Sequence, residues 1–138
     1  MKKKIIVTGG TGYIGSHTAV ELIAGGFEVV IIDNLYNSDI AVLEGIRAIT
    51  GVTPKFWQYD LCDIQKLEEV FVAEGKIDAI IHFAAYKAVG ESVRKPLEYF
   101  RNNLVSLMNL LEMMERHNTP VMVFSSSCTV YGQPDTLP

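Results

Sequence analysis

Short apolar runs separated by longer amphipathic stretches organise this chain. Five runs of strand length, Lys4 to Thr8, Glu28 to Ile32, Lys55 to Tyr59, Ala79 to His82 and Val121 to Ser125, are nearly continuous in apolar residues instead of alternating with polar ones. Strands buried on both faces of a parallel sheet carry that pattern. Between them the spacing predicts helices over Tyr13 to Ala24, Asp39 to Ile49, Ile64 to Ala73 and Pro96 to His117. Gly25-Gly26 supplies a stop for the first helix, Asp63 an N-cap for the third, and Pro96 suits the first turn of the fourth. Alternating strands and helices joined by right-handed crossovers give an α/β fold, a doubly wound parallel sheet with helices on both faces and strand order 3-2-1-4-5. Ligands of such sheets bind beyond the carboxyl ends of the strands.

The first strand end carries the strongest chemical signal. Thr8-Gly9-Gly10-Thr11-Gly12-Tyr13-Ile14-Gly15 follows Ile5-Ile6-Val7 directly, and Asp33 closes the second apolar run eighteen residues after Gly15. Such a turn must reverse tightly, let its backbone approach a pyrophosphate and open a helix whose N-terminal N–H groups favour the anion. Gly9, Gly12 and Gly15 permit all three. Asp33 then stands where a carboxylate accepts hydrogen bonds from the adenosine ribose, and no arginine occurs among residues 34 to 38 to receive a 2′-phosphate. The fingerprint therefore predicts a Rossmann-type dinucleotide site selective for NAD over NADP.

Composition narrows the setting. The 138 residues are 49% hydrophobic and carry a formal net charge of −4, enough for a single globular domain with its own core. The acidic balance, with a sequence pI near 5.3, argues against nucleic-acid binding, and Lys2-Lys3-Lys4 reads as a solvated strand start. Its apolar continuation is too short for a secretion signal, and Leu22 to Ile32 is broken by Gly25, Gly26 and Glu28, so no membrane span is expected. Cys62 and Cys128 are far apart, which points to buried free thiols in the cytoplasm. His17, His82 and His117 are likewise scattered, and core or surface roles outweigh a metal site.

The other strand ends carry weaker signals. His82-Phe83-Ala84-Ala85 closes the fourth strand with small residues that let a flat ligand pass, and the loop Tyr86 to Ser92 follows with Lys87, which reads equally as a solvated lysine. Tyr59-Asp60-Leu61-Cys62-Asp63 closes the third, placing Asp60 within reach of an adenine amino group and leaving Asp63 as a cap. Asn102 interrupts an apolar helix stripe and, on its residue type alone, faces solvent. The fifth strand ends in the hydroxyl-rich Ser125-Ser126-Ser127-Cys128-Thr129-Val130-Tyr131-Gly132, which could orient a reacting alcohol. No glycine-flanked nucleophile elbow surrounds these serines, which excludes a serine hydrolase.

Taken together, Gly9-Gly10-Thr11-Gly12-Tyr13-Ile14-Gly15-Ser16-His17, Asp33-Asn34-Leu35, Lys87-Ala88-Val89-Gly90-Glu91-Ser92, Lys95-Pro96-Leu97-Glu98-Tyr99, Asn102-Asn103 and Ser125 to Gly132 resemble the UDP-glucose 4-epimerase family of the extended short-chain dehydrogenase/reductase superfamily. The resemblance covers the whole chain. It implies interconversion of UDP-glucose and UDP-galactose by transient oxidation at the sugar C4 and return of the hydride from bound NAD, in galactose metabolism. It assigns Tyr13 and Ile14 to the pyrophosphate turn, and Asp33, Asn34, Asn37 and Ser38 to the adenosine ribose and nearby phosphate. Asp60 and Leu61 would flank adenine; Phe83, Ala84, Lys87 and Asn102 would line the middle of the cofactor. Ser127 would be the catalytic residue on the sugar 4-hydroxyl, with Lys87 and Thr129 as further substrate-side candidates. No metal is implied.

The family also carries a Tyr-x-x-x-Lys pair, tyrosine as acid/base and lysine lowering its pKa. None of the six tyrosines here has lysine four residues later. The expectation is a partial NAD-binding domain over residues 1–138, the last strands and the substrate domain being absent, and catalytically silent by itself. A nucleotide-sugar 4,6-dehydratase or decarboxylase is the nearest alternative, disfavoured because Ser127-Cys128-Thr129 stands where a dehydratase places Thr-Asp-Glu. A non-catalytic NAD-sensing module is the alternative of another class. The resemblance further implies a homodimer through the helix over residues 96–117. There Leu104, Leu107, Met108, Leu111 and Met114 would face the sheet, while Leu97, Leu110 and Met113 widen the apolar face outward.

Overall fold

A computed structural model describes residues 2–127, Val130 and Gly132. Its elements run β1 (Lys4–Thr8), α1 (Tyr13–Ala24), β2 (Glu28–Ile32), α2 (Val42–Thr50), β3 (Lys55–Trp57), α3 (Ile64–Glu74), β4 (Ala79–His82), α4 (Val89–Arg94), α5 (Pro96–Phe100), a π-helical turn (Arg101–Val105), α6 (Ser106–Arg116) and β5 (Met122–Phe124). The five strands form one sheet in the order β3-β2-β1-β4-β5. Every pairing is parallel, as the continuous apolar runs require.

Period-two alternation along the strands divides the core between two helical layers. Ile6, Val30, Ile32 and Ile80 pack with Leu67, Val70 and Phe71 of α3 and with Leu110 and Met113 of α6. Ile5, Val7, Val29 and Ile31 point the other way, onto Ala19 of α1 and Ile46 of α2. Asp63 caps α3 as expected, its Oδ1 accepting from the Gln65 and Lys66 amides, each at 3.1 Å. At the amino end of the sheet, Glu74 closes α3 with a fully buried carboxylate. It accepts from the Trp57 indole at 2.8 Å and pairs with Lys55 at 2.8 Å and Lys4 at 3.1 Å. Burial alone would raise its pKa, but these three donors outweigh it and hold the carboxyl below its ordinary value.

Several expected boundaries move. β3 stops at Trp57, where the Trp57 carbonyl accepts from Asp33 N–H at 3.2 Å, rather than reaching Tyr59. β5 is confined to Met122–Phe124. α2 starts at Val42 because residues 39 to 41 are drawn into a tight turn, the Asp39 side chain accepting from Ala41 N–H at 2.8 Å. Val89–Arg94 is helical where a loop was expected, a single short segment that buries none of its side chains and so shows no periodicity.

The expected helix over 96–117 is three pieces, and its faces are exchanged in part: Leu97 lies outward and Met114 packs against the core as expected, but Leu104, Met108, Leu110, Leu111 and Met113 reverse. Ser106, Leu110 and Met113 point into the core, while Leu97, Leu104, Met108 and Leu111 are at least half exposed. Both stripes are apolar, so periodicity could not choose between them. In the observed rotation Leu110 and Met113 are fully buried, and the Asn109 side chain donates to the Leu61 carbonyl at 2.8 Å.

This assignment makes a direct prediction for unfolding in urea. Leu110→Ala should lower stability by about 2–5 kcal/mol through the cavity it leaves, whereas Leu111→Ala, one residue on, should stay within about 0.5 kcal/mol of the parent. Equal losses for the two variants would mean that the inward stripe is wrongly assigned.

Candidate functional site

The sheet diverges between β1 and β4, where consecutive crossovers pass to opposite faces, and the cleft opens at that point. At Gly9 the chain leaving β1 has φ of +67°, a left-handed conformation glycine adopts freely. A side chain there would put its Cβ 2.8 Å from the Ala84 nitrogen, so only glycine lets the two strand ends come this close. At Gly15 a Cβ would collide with the Gly9 carbonyl oxygen, so glycine is needed again for α1 to pack against the turn. Gly12 is the N-cap of α1 and offers no side-chain acceptor, which leaves the first amides of the helix directed at the cleft mouth.

The cleft measures about 680 Å³ and gathers residues from the ends of β1, β2, β3 and β4 and from the π-helical turn. Of the predicted cofactor residues, Gly9, Gly12, Tyr13, Asp33, Asn34, Asn37, Ser38, Asp60, Leu61, Phe83, Ala84, Lys87 and Asn102 line it. Ile14 and Gly15 are not among the lining residues: Ile14 is an exposed side chain on α1, and Gly15 is buried beneath the turn.

Asp33 organises the β2 end. Its Oδ2 accepts from Thr11 N–H at 3.2 Å, and its Oδ1 from Leu35 N–H at 2.9 Å and the Ser38 hydroxyl at 3.2 Å. The Thr11 and Ser38 hydroxyls share a further hydrogen bond of 2.7 Å, so carboxylate, glycine turn and β2 loop form one network. Three of roughly four carboxylate acceptor positions are thus in use, leaving room for a sugar hydroxyl. Across the cleft Asp60 Oδ1 accepts from Cys62 N–H at 2.8 Å, and Asn34 reaches Asp60 Oδ2 at 3.4 Å. Cys62 is half-buried rather than buried, and its thiol is pushed up to about 11, first by burial and then by Asp60, which keeps it protonated and unreactive.

At the β4 end, buried His82 lies beside buried Thr8, Oγ1 to Nδ1 at 2.7 Å, tying β4 to β1 under the turn. Burial pulls the imidazole down to about 4, so the ring is neutral and can accept the Thr8 hydroxyl proton. Lys87 is exposed on the cleft wall. Asn102 is half-buried within the π-helical turn, facing the cleft rather than open solvent, and donates to Asn103 Oδ1 at 3.0 Å. Ser127 follows β5 and is exposed; among the described residues lining the cleft it does not figure. Thr129, Cys128, Tyr131 and the loop expected over residues 133–138 lie outside the described residues. Among the described residues no cluster of His, Cys, Asp and Glu could hold a metal ion, and no helix is long and apolar enough to cross a membrane.

Sequence reasoning gave no role to several residues found at the cleft, Glu91, Tyr99 and Ser106 among them. Tyr36 and Tyr86 line the cleft, and Asn103 pins the Tyr86 backbone from the π-helical turn. Tyr36 and Tyr86 were signalled only by adjacency to Asn37 and Lys87, whereas Asn103 stood in the Asn102-Asn103 motif without a role of its own.

The NAD dependent epimerase/dehydratase family matches residues 5–138. The UDP-glucose 4-epimerase of Bacillus subtilis is 52% identical over 134 residues, covering 97% of this chain and 39% of that protein. That of Dictyostelium discoideum is 47% identical over 135 residues, covering 98% of this chain and 39% of that protein. The crystal structure of the Stenotrophomonas maltophila UDP-glucose-4-epimerase, with bound NAD and formylated UDP-arabinopyranose, superimposes with a TM-score of 0.92 at 48% identity. It is covered to 40%, against 99% of this chain. The Bifidobacterium longum enzyme, in complex with NAD+ and UDP, gives the same TM-score and identity. The chain thus spans about 40% of the length of the proteins it matches.

The neutral His82 predicts a particular pH response. Its pKa falls from an ordinary 6.5 to about 4 on folding, so its contribution is complete above pH 6.5 and is lost as the pH drops toward 4, about 3 kcal/mol in all. Denaturant unfolding across that window should show the loss, and His82→Gln should flatten it. An unchanged slope in the variant would assign the loss to another group.

Proposed function

The chain belongs to the NAD-dependent epimerase/dehydratase family, and from that premise we propose that it forms the NAD-binding part of a UDP-glucose 4-epimerase, the isomerase that interconverts UDP-glucose and UDP-galactose. One observation carries the reading: four strand ends bring the glycine turn, the Asp33 carboxylate and the exposed Lys87 to a single cleft. The turn suits a dinucleotide: glycine at position 9 lets the chain leaving β1 pass hard against Ala84, and Gly12 leaves the first amides of α1 without a side-chain cap. The absence of arginine among residues 34 to 38 fits NAD rather than NADP.

In this reading Gly9 and Gly12, with the amides of Tyr13 and Ile14, hold the pyrophosphate at the start of α1, and Gly15 lets the helix pack beneath the turn. Asp33 accepts from the adenosine ribose, flanked by Asn34, Asn37 and Ser38, and Asp60 and Leu61 border adenine. Phe83, Ala84 and Lys87 line the middle of the cofactor, Asn102 reaches it from its helix, and Ser127 hydrogen-bonds the sugar 4-hydroxyl, with Lys87 and Thr129 on the substrate side. Bound NAD would supply the hydride acceptor, and later donor, for the sugar C4. These residues orient and bind; none of the 138 forms the Tyr-x-x-x-Lys pair that moves the hydroxyl proton in the family. The exposed stripe of Leu97, Leu104, Met108 and Leu111 supports a homodimer through this helical segment, on the face opposite Leu110 and Met113.

Calorimetric titration tests the cofactor assignment. NAD should bind in preference to NADP, and Asp33→Ala should weaken NAD by roughly tenfold or more, in keeping with loss of hydrogen bonds to a charged group. Unchanged affinity in the variant, or tighter NADP binding by the parent, would refute it.

A coupled assay with UDP-galactose should find no turnover by the 138 residues, since general acid/base assistance alone contributes roughly 10²–10⁴-fold. Turnover that disappears in Ser127→Ala would show instead that a tyrosine of this chain takes the proton.

A further inference from the structure

An aromatic bridge crosses the cleft and has no part in the roles above. Tyr36, on the loop after β2, stacks on Tyr86, on the loop after β4, with ring centroids 4.6 Å apart and planes 30° from parallel. β1 lies between those two strands in the sheet, so the bridge spans the end of β1, where the glycine turn sits.

The two ends of the bridge are held very differently. Tyr86 is fixed: its N–H donates to Asn103 Oδ1 at 2.8 Å, and its carbonyl accepts from Asn103 Nδ2 at 3.0 Å. Its ring also meets buried Tyr99 edge-on at 5.4 Å, and the Tyr99 hydroxyl is tied to Glu91 at 2.7 Å. Asn103 reaches Tyr86 from the π-helical turn, a local rewinding that often marks functional positions. Tyr36, by contrast, is 59% exposed and follows Leu35, whose φ of 59° puts a non-glycine residue in left-handed backbone. Apart from the stack, what directs it is local, with Leu35 N–H on Asp33 and Tyr36 N–H on Asn34. An exposed, locally held arm therefore rests on a firmly anchored base.

We infer that Tyr36 is a retaining strap for the dinucleotide, closing on Tyr86 across the middle of the bound cofactor, with Asn103 as the residue that positions its base. The inference rests on the NAD reading. A dinucleotide running from Asp33 past the glycine turn to Ala84 passes between the two loops, so that release requires the rings to part. Retention of this kind slows dissociation while leaving association nearly unchanged.

Stopped-flow exchange of bound NAD from the 138-residue chain tests the strap without reference to turnover. Tyr36→Ala should release NAD about 2- to 10-fold faster, the range an aromatic pair is worth, and Tyr36→Phe should release it at the parental rate. Asn103→Ala should accelerate release similarly, and the double variant Tyr36→Ala/Asn103→Ala should add little to either alone, because both act on one contact. Being exposed, Tyr36 can be truncated without disturbing the core. A parent that binds NAD while the Tyr36 variants release it at the parental rate overturns the strap alone. An alanine variant that binds faster and more tightly overturns it too, making the rings a plug. A parent that binds no NAD overturns the functional reading, and the strap with it.

Discussion

The approach of Gly9 to Ala84 is the constraint on which the site depends. Two parallel strands end side by side, and the chain leaving β1 passes to one face of the sheet while the chain leaving β4 passes to the other. The gap between them becomes a cleft only if the backbones stay close at its floor. Glycine at the turn permits the contact, and the Thr8–His82 hydrogen bond holds it from below. Everything that reaches the cleft, from Asp33 to the π-helical turn, is placed relative to that floor.

Polar groups are divided between the two ends of the sheet according to what each must do. At the amino end Glu74 is sealed and saturated by Trp57, Lys55 and Lys4, so α3 is fastened to β1 and β3 by a buried charge with every partner supplied. Such an arrangement stabilises only while it is complete. At the carboxyl end the polar groups form networks that retain acceptor capacity, as at Asp33, or stay exposed, as at Lys87. His82 stands at the boundary, buried and neutral, where a charge would have no partner.

The segment over residues 96–116 meets several demands in three pieces instead of one continuous α-helix. Its outer apolar stripe faces away from the core, its inner stripe completes the packing under β1 and β4, and its two asparagines must both reach the cleft side. The π-helical turn at Arg101–Val105 brings Asn102 and Asn103 to neighbouring positions, one lining the cleft and the other clamping Tyr86. Clamped there, Tyr86 carries the stacked ring of Tyr36.

Strand number, sheet type and the dinucleotide fingerprint were legible in the sequence, because each rests on local chemistry. Continuous apolar runs specify strands buried on both faces, Asp63 supplies its own cap, and Gly9 with Asp33 states a turn and a carboxylate whose spacing only this fold uses. Even so, β1, β2, β4 and α1 could be bounded to the residue, while β3 and α2, whose ends are set by Asp33 N–H and the Asp39 side chain, could not. Which stripe of α6 turns inward, the rewinding around Asn102, the neutral state of His82 and the stacking of Tyr36 on Tyr86 were decided only in the tertiary structure. Each depends on partners far along the chain: Leu61 for Asn109, Thr8 for His82, Asn103 for Tyr86. Periodicity records how often a helix presents apolar residues, but its rotation about its own axis is fixed by contacts that exist only once the sheet has brought distant segments together.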